Sequence, residues 1–216
     1  MKKLLIFMFV FAIQVFAQEE DISLDNKYAL QFQLSSNFTL SSFQGTTLSG
    51  KYHFPDNLAL RVGLSVTAQN REGTGDLAYQ DENYLKYPYA DKSDAYGIDI
   101  TVQLIKYFPV EKNWFIYAGG GPFISGNKEN SKRDFESDAL ADEETENKVS
   151  EAGVKFSGGV EWLVSSNIGI MAEYGFNISW GSSKSKSYNY STHRNSDWDF
   201  FRIQTVPVKV GISVYF

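Results

Sequence analysis

The chain has 216 residues, with 20 Lys and Arg against 26 Asp and Glu, no Cys, and aromatic residues at 16%. That acidic balance argues against nucleic acid as a partner, the lack of Cys leaves no disulfide framework, and about 200 residues is one domain's worth. No window after residue 17 holds 18 consecutive apolar residues, which excludes helical membrane spans.

At the amino terminus, Lys2 and Lys3 precede an apolar run from Leu4 to Phe16 broken only by Gln14. Val15-Phe16-Ala17 places small residues at the two positions a signal peptidase inspects, so residues 1–17 are predicted to be a signal peptide cleaved before Gln18. The run is short of the roughly 20 residues a spanning helix needs. Removing Lys2 and Lys3 takes the bases from 20 to 18 against 26 acids, a formal charge of -8 for residues 18–216.

Eight segments of alternating hydrophobicity follow. The first, about Lys27 to Leu40, sets Tyr28, Leu30, Phe32, Leu34 and Phe38 against Gln31, Gln33, Ser35 and Asn37. The second, roughly Phe43 to Phe54, sets Leu48, Tyr52 and Phe54 against Thr47, Ser49, Lys51 and His53. Pro55-Asp56-Asn57 is a tight turn by its chemistry, and the third segment opens at once with Leu58, Leu60, Val62, Leu64 and Val66 opposite Arg61, Gly63, Ser65 and Thr67. Two long strands joined by three residues form an antiparallel hairpin.

The fourth segment, about Ala95 to Phe108, alternates Tyr96, Ile98, Ile100, Val102 and Leu104 with Gly97, Asp99, Thr101 and Gln103. A short turn, Pro109 to Asn113, leads to the fifth, Trp114 to Ser125, whose facing is ambiguous through Tyr117-Ala118-Gly119-Gly120-Gly121-Pro122. The sixth, about Glu151 to Val164, sets Val154, Phe156, Val160 and Trp162 against Gly153, Lys155, Ser157 and Glu161. Ser165-Ser166-Asn167 turns it into the seventh, Ile168 to Trp180, with Ile170, Ala172, Tyr174, Phe176 and Ile178 opposite Glu173, Gly175 and Asn177. The eighth, Val206 to Phe216, puts Val206, Val208, Val210, Ile212, Val214 and Phe216 on one face and Thr205, Pro207, Lys209, Gly211, Ser213 and Tyr215 on the other. Pro207 cannot donate to a ladder, so a bulge is predicted near Thr205 to Pro207. The phase shift beyond it turns Phe201 and Ile203 to lipid and Arg202 and Gln204 inward.

The connections alternate in length. Three are turns of three to five residues, whereas 70–94, 126–150 and 181–197 read as long polar loops, and only the hairpin loop around Ser41 to Gly45 is short on that side. Short turns at one rim and long loops at the other is the pattern of a transmembrane barrel, predicted here as an all-β, eight-stranded, antiparallel, up-and-down fold over 18–216. A soluble lipocalin-like barrel would face its apolar side inward. Polar faces rich in Gly, Ser, Thr and Gln favour the membrane form, as do strands long enough to cross a bilayer. So do aromatics at the strand ends, Phe54, Tyr107, Phe108, Trp114, Trp162 and Phe216, expected to face lipid near the short turns.

The run Gly158-Gly159-Val160-Glu161-Trp162-Leu163-Val164-Ser165-Ser166-Asn167-Ile168-Gly169-Ile170-Met171-Ala172-Glu173-Tyr174 resembles the strand-turn-strand unit of small OmpA/OmpX-type outer-membrane barrels, as does Lys51-Tyr52-His53-Phe54-Pro55-Asp56-Asn57-Leu58-Ala59-Leu60-Arg61. The terminal strand, ending on Phe216, resembles the closing strand of such barrels, which implies that Val208, Val210, Ile212, Val214 and Phe216 form the signal read by the barrel-assembly machinery. The resemblance also implies the outer membrane of a Gram-negative bacterium, lipid and lipopolysaccharide as neighbours, long loops outside the cell, and no appended peptidoglycan-binding domain.

The predicted interior holds Lys51, Arg61, Lys155 and Lys209 with Asp99, Glu161 and Glu173, near balance in charge. We read these as an ion-pair network that fills a narrow lumen, with Glu161 and Glu173 compensating Arg61, Lys155 and Lys209, rather than as a proton or ion path. The scaffold also carries lipid A deacylases and acyltransferases, but neither His53, beside a short turn, nor His193, in the last loop, sits in a catalytic motif. No enzyme, cofactor or metal site is predicted. Tyr79, Tyr84, Tyr87 and Tyr89 suit contacts with a surface protein ligand. Seven acids lie between Asp134 and Glu146 without calcium-loop spacing, and the segment 181–197, with Lys184, Lys186 and Arg194, is placed to lean on lipopolysaccharide phosphates or on that acidic segment. The expected role is structural or surface interaction, in adhesion or envelope integrity, with a narrow pore or transporter as the alternative.

Overall fold

The computed structural model describes residues 23–39, 44–78, 86–135, 142–189 and 192–216. The predicted signal segment lies outside them, as do Tyr79 and Tyr84. Eight strands follow in chain order: β1 (Tyr28–Thr39), β2 (Gln44–Phe54), β3 (Leu58–Ala78), β4 (Lys86–Glu111), β5 (Trp114–Phe135), β6 (Glu143–Ser165), β7 (Ile168–Asn189) and β8 (Thr192–Tyr215). Each pairs antiparallel with its neighbours, and β1 pairs β8, with Phe32 opposite Ile212, to close the barrel.

The two faces of this wall are inverted relative to a soluble protein. Leu30, Phe32, Leu60, Val62, Leu64, Ile98, Ile100, Leu104, Phe156, Val210 and Ile212 are all exposed on the outside, while Gln31, Gln33, Lys51, Arg61, Gln103, Glu161 and Ser213 are buried inside. Only an apolar solvent makes that arrangement stable. On β4 the belt runs from Ile98 to Phe108, interrupted by Lys106, in keeping with the roughly 9 to 11 tilted residues that cross a bilayer. Aromatics mark both edges. Tyr52 packs on Tyr28 and Phe54 with ring centroids 4.8 Å apart and Trp114 stacks on Trp162 at 5.6 Å near the short turns, while Trp180 meets Phe201 at 5.3 Å at the far edge.

The short-turn rim is closed by backbone. Asp56 and Asn57 take φ of 67° and 57°, a region that short polar side chains tolerate, and so return the chain within three residues. Asn57, Asn113 and Asn167 each offer a carbonyl to the next hairpin, at Tyr107, Leu163 and Tyr215. Ahead of β1, Leu24 folds beneath the barrel and is buried in its floor.

The segments expected to be long loops are mostly strand. The β3–β4 ladder continues from Gln69 opposite Ala95 to Ala78 opposite Lys86, β5–β6 continues to Arg133 opposite Glu143, and β7–β8 to Asn189 opposite Thr192. Above the apolar belt both faces meet water, so nothing selects alternation and the period-two signal disappears while backbone pairing persists. Three further expectations change. Tyr107 points into the lumen, since it shares the inward phase of Gln103 and Ile105. β5 turns Phe115, Tyr117 and Phe123 inward, which fixes its facing.

Val206 leaves the lipid face. Glu173 pairs with Lys209 but Gly175 pairs with Val206, so β8 carries one extra residue around Pro207. Beyond that bulge Phe201 and Ile203 face out and Arg202 turns in to Glu151, as the proline predicted.

Candidate functional site

The lumen is built in layers, each from residues on the inward phase of several strands. Nearest the short turns, Ile105, Phe115, Leu163 and Met171 form an apolar floor with the rings of Tyr107, Tyr117 and Tyr215. His53 lies against Tyr107 and Tyr215 at 5.0 and 5.6 Å, and neither ring nitrogen meets a hydrogen-bond partner.

On this floor Lys51 donates to Glu161 at 3.0 and 3.2 Å, to the Tyr107 hydroxyl at 3.1 Å and to the Tyr215 hydroxyl at 3.2 Å. The two hydroxyls donate in turn to the two oxygens of Glu161, Tyr107 at 3.0 Å and Tyr215 at 2.6 Å. Lys51 over the two tyrosine rings adds a cation–π contribution. Every polar atom of the pair is met, which is the condition under which a buried ion pair is tolerated.

The next layer centres on Arg61. It pairs with Glu173 at 2.6 Å, donates to Gln103 Oε1 from Nε and Nη2 at 3.2 and 2.6 Å, and reaches Gln31 and Ser157 at 3.3 Å. Tyr117 donates to Glu173 at 3.2 Å. Above it Lys155 faces Asp99 at 3.5 Å and Thr101 at 3.4 Å, and Lys209 donates to Thr47 at 2.8 Å, which shares a 2.8 Å hydrogen bond with Ser65. Higher still Arg202 grips Glu151 at 2.6 and 3.0 Å, with Ser179 donating to the same carboxylate at 2.9 Å.

Side-chain exposure rises through these layers, from 0% for Lys51 and Glu161, through 5% and 8% for Arg61 and Glu173, to 11% and 24% for Lys155 and Asp99. The lumen is therefore shut at the short turns and open at the long strands. The structure thus places all seven sequence-predicted interior residues on the inner wall; Arg61 takes Glu173, one of its two expected partners, and the others are partnered differently. Lys51 takes Glu161, Lys155 takes Asp99, and Lys209 takes a hydroxyl, because the pairs bridge strands that are not neighbours in the sheet. The tyrosines at 107, 117 and 215 and the carboxylate of Glu151 complete the network; Arg202 was expected to turn inward, but neither its partner nor the tyrosines were expected in the lumen network. The terminal residues Val208, Val210, Ile212, Val214 and Phe216 form an exposed outer ridge, with the Phe216 N–H donating to Tyr28 at 2.9 Å to complete the seam.

Outside, just above the apolar belt, the register aligns Lys128, Lys148 and Lys184 on three adjacent strands. Glu146 forms ion pairs with Lys148 at 2.5 Å and Lys128 at 3.3 Å, and the two ammonium groups, Lys148 first, hold its carboxyl below the ordinary carboxylate range. Lys184 reaches Asp197 at 3.6 Å. A groove of about 430 Å³ below this row is lined by Val66, Tyr96, Ile98 and Ser150 with Lys128 and Lys148 at its top. A second cleft of about 840 Å³ near the long-strand mouth carries Arg71, Asp91, Glu129, Arg133 and Glu143, in which Arg133 donates to Asp91 at 2.8 and 3.3 Å and covers the Tyr89 ring. His193 is exposed at the end of β8 with its ring edge on Tyr188. Among the described residues no three or more His, Asp or Glu gather to hold a metal ion.

No family model and no curated protein matches the chain. Among solved structures it is similar to Ail, the attachment invasion locus protein of Yersinia pestis, at 13% identity and a TM-score of 0.41, over 89% of this chain and 99% of that one. It is similar to the N-terminal β-barrel domain of OprF from Pseudomonas aeruginosa at 12% identity and 0.37, over 89% and 98%. A major outer membrane protein from Thermus thermophilus gives 7% and 0.44, over 88% and 98%. The closed eight-stranded ladder has the architecture of the small OmpA/OmpX-type barrels.

Proposed function

We propose that the protein is an outer-membrane β-barrel of a Gram-negative cell that works by contact rather than by passage, in adhesion or envelope integrity, with its long strands outside. The observation that carries this reading is the combination of a lumen sealed by the fully buried Lys51–Glu161 layer with a wall that continues as paired strands above the apolar belt. A sealed lumen leaves the outer wall and its rim to meet other molecules, and paired strands hold that rim rigidly.

The lysine row at 128, 148 and 184 lies where lipopolysaccharide phosphates would sit, over a groove with an apolar base, and supports lipopolysaccharide as a neighbour. The ridge from Val208 to Phe216 supports recognition by the assembly machinery. The reading assigns no catalysis, since His53 is enclosed by rings and His193 stands in solvent. Its test is a binding assay on intact cells in which residues 72–92 are replaced by a tight turn. The barrel should still insert and change mobility on heating, while binding to immobilised envelope or host-surface components falls to background. Unchanged binding would remove the wall from the function.

The alternative, a narrow pore, draws on the polar column that runs from Glu151 to Lys51. It requires the Lys51–Glu161 layer and the tyrosine floor to open.

A further inference from the structure

We infer that the lumen holds a small monovalent anion, a halide or a carboxylate of acetate size, at Lys209 beside Lys155, reached only from the long-strand mouth. Among the described residues, the inner wall of the membrane-embedded barrel carries five cations and four carboxylates, and four pairs use them one to one: Lys51 with Glu161, Arg61 with Glu173, Lys155 with Asp99 and Arg202 with Glu151. Lys209 is the fifth cation. Among the described residues no carboxylate lies within 4.0 Å of it, and its one hydrogen bond goes to the Thr47 hydroxyl at 2.8 Å. Glu173 stands directly opposite Lys209 in the β7–β8 register, yet its carboxylate is turned to Arg61 and Tyr117.

An ammonium has three protons to donate, and among the described residues Lys209 gives one to Thr47. Glu173 and Asp99 act on Lys209 only from beyond contact, each turned to its own partner, and a buried cation with no carboxylate in contact is costly. Lys155 adds to that cost, because its own charge acts on Lys209 and its contact to Asp99 is loose at 3.5 Å. Two ammonium groups close enough for their charges to act on each other, with the Thr47 hydroxyl on Lys209 and the Thr101 hydroxyl on Lys155, are a donor set suited to a small anion. The level is also the right one for access. Asp99 is reached by solvent from above, whereas Arg61, Glu173 and Tyr117 beneath are packed and paired, so an anion can enter this cup and cannot continue.

The test is a titration of the intact barrel in lipid nanodiscs with chloride, bromide and acetate, read by NMR signals of the lysine ammonium groups and by bromide anomalous scattering from crystals. The expected result is a saturable shift at Lys209 and Lys155 and a bromide peak within hydrogen-bonding reach of Lys209 Nζ. The shift should be lost in Lys209→Met and kept in Lys209→Arg, with Thr47→Val as a second variant that weakens it without touching a charge. A wild-type response that never saturates, or the same response in folded Lys209→Met, would overturn the proposal and show that the charge is met by Asp99, by Glu173 or by loss of the proton. The wild-type titration decides the matter even if Lys209→Met does not fold.

Discussion

Lys51 and Glu161 are 110 positions apart in sequence and fully buried together, and every oxygen and proton they present is used by the other or by Tyr107, Tyr215 and Ser213. Removing one member leaves a charge that nothing else in the floor neutralises. Glu161→Ala should therefore cost about 3 to 5 kcal/mol, whereas Lys51→Met with Glu161→Met should cost much less than the sum of the single changes. Urea unfolding of the barrel in detergent, followed by tryptophan fluorescence, measures both. Additive losses would mean that each residue acts alone. Arg61 and Glu173 permit the same comparison one layer higher, where Gln31, Gln103 and Ser157 still hold the guanidinium. Glu173→Gln should then be the milder change.

At the level of the strand, alternation was enough to read facing over most of the lipid belt; Tyr107, read from its place at a strand end, and the Gly-rich middle of β5 were the exceptions. The turn at Asp56-Asn57, the inward phase of Lys51, Arg61 and Glu173 and the shift at Pro207 were all legible for that reason. What was not legible follows from the same physics. The upper halves of β3 to β8 meet water on both faces, so their alternation carries no selection and they read as loops. The partners across the lumen were hidden because phase tells which residues point inward and not which of them meet. The bulge can be checked by cross-linking. Cysteines at Asn177 and Gln204, which are directly paired, should form a disulfide in the folded barrel, while cysteines at Asn177 and Thr205, the pair of an unbroken ladder, should not. The lysine row gives a second check at this level. Glu146 occupies two of its three ammonium groups, so Glu146→Gln should strengthen binding of lipid A to the purified barrel, with no change for the dephosphorylated lipid. Equal effects on both lipids would make the groove an apolar contact only.

Taken whole, the molecule is a cup: an aromatic floor and buried ion pairs close one end, and a tall paired wall surrounds the other. Its orientation is open to direct measurement. A cysteine at Lys92, on the upper wall, should react with an impermeant maleimide on intact cells, and one at Lys112, in a short turn, should react only after the outer membrane is breached. Deleting Phe216 should leave protein in the periplasm, because the outer ridge that ends the seam is the part offered for assembly. Whether the lumen is a core or a path is read most directly by single-channel recording of the purified protein in planar bilayers. Insertions should leave the current at baseline across the voltage range, since Lys51, Glu161, Tyr107 and Tyr215 leave no continuous water through the floor. A steady ohmic current of uniform size with each insertion would show that ions pass this layer and that the protein is a pore.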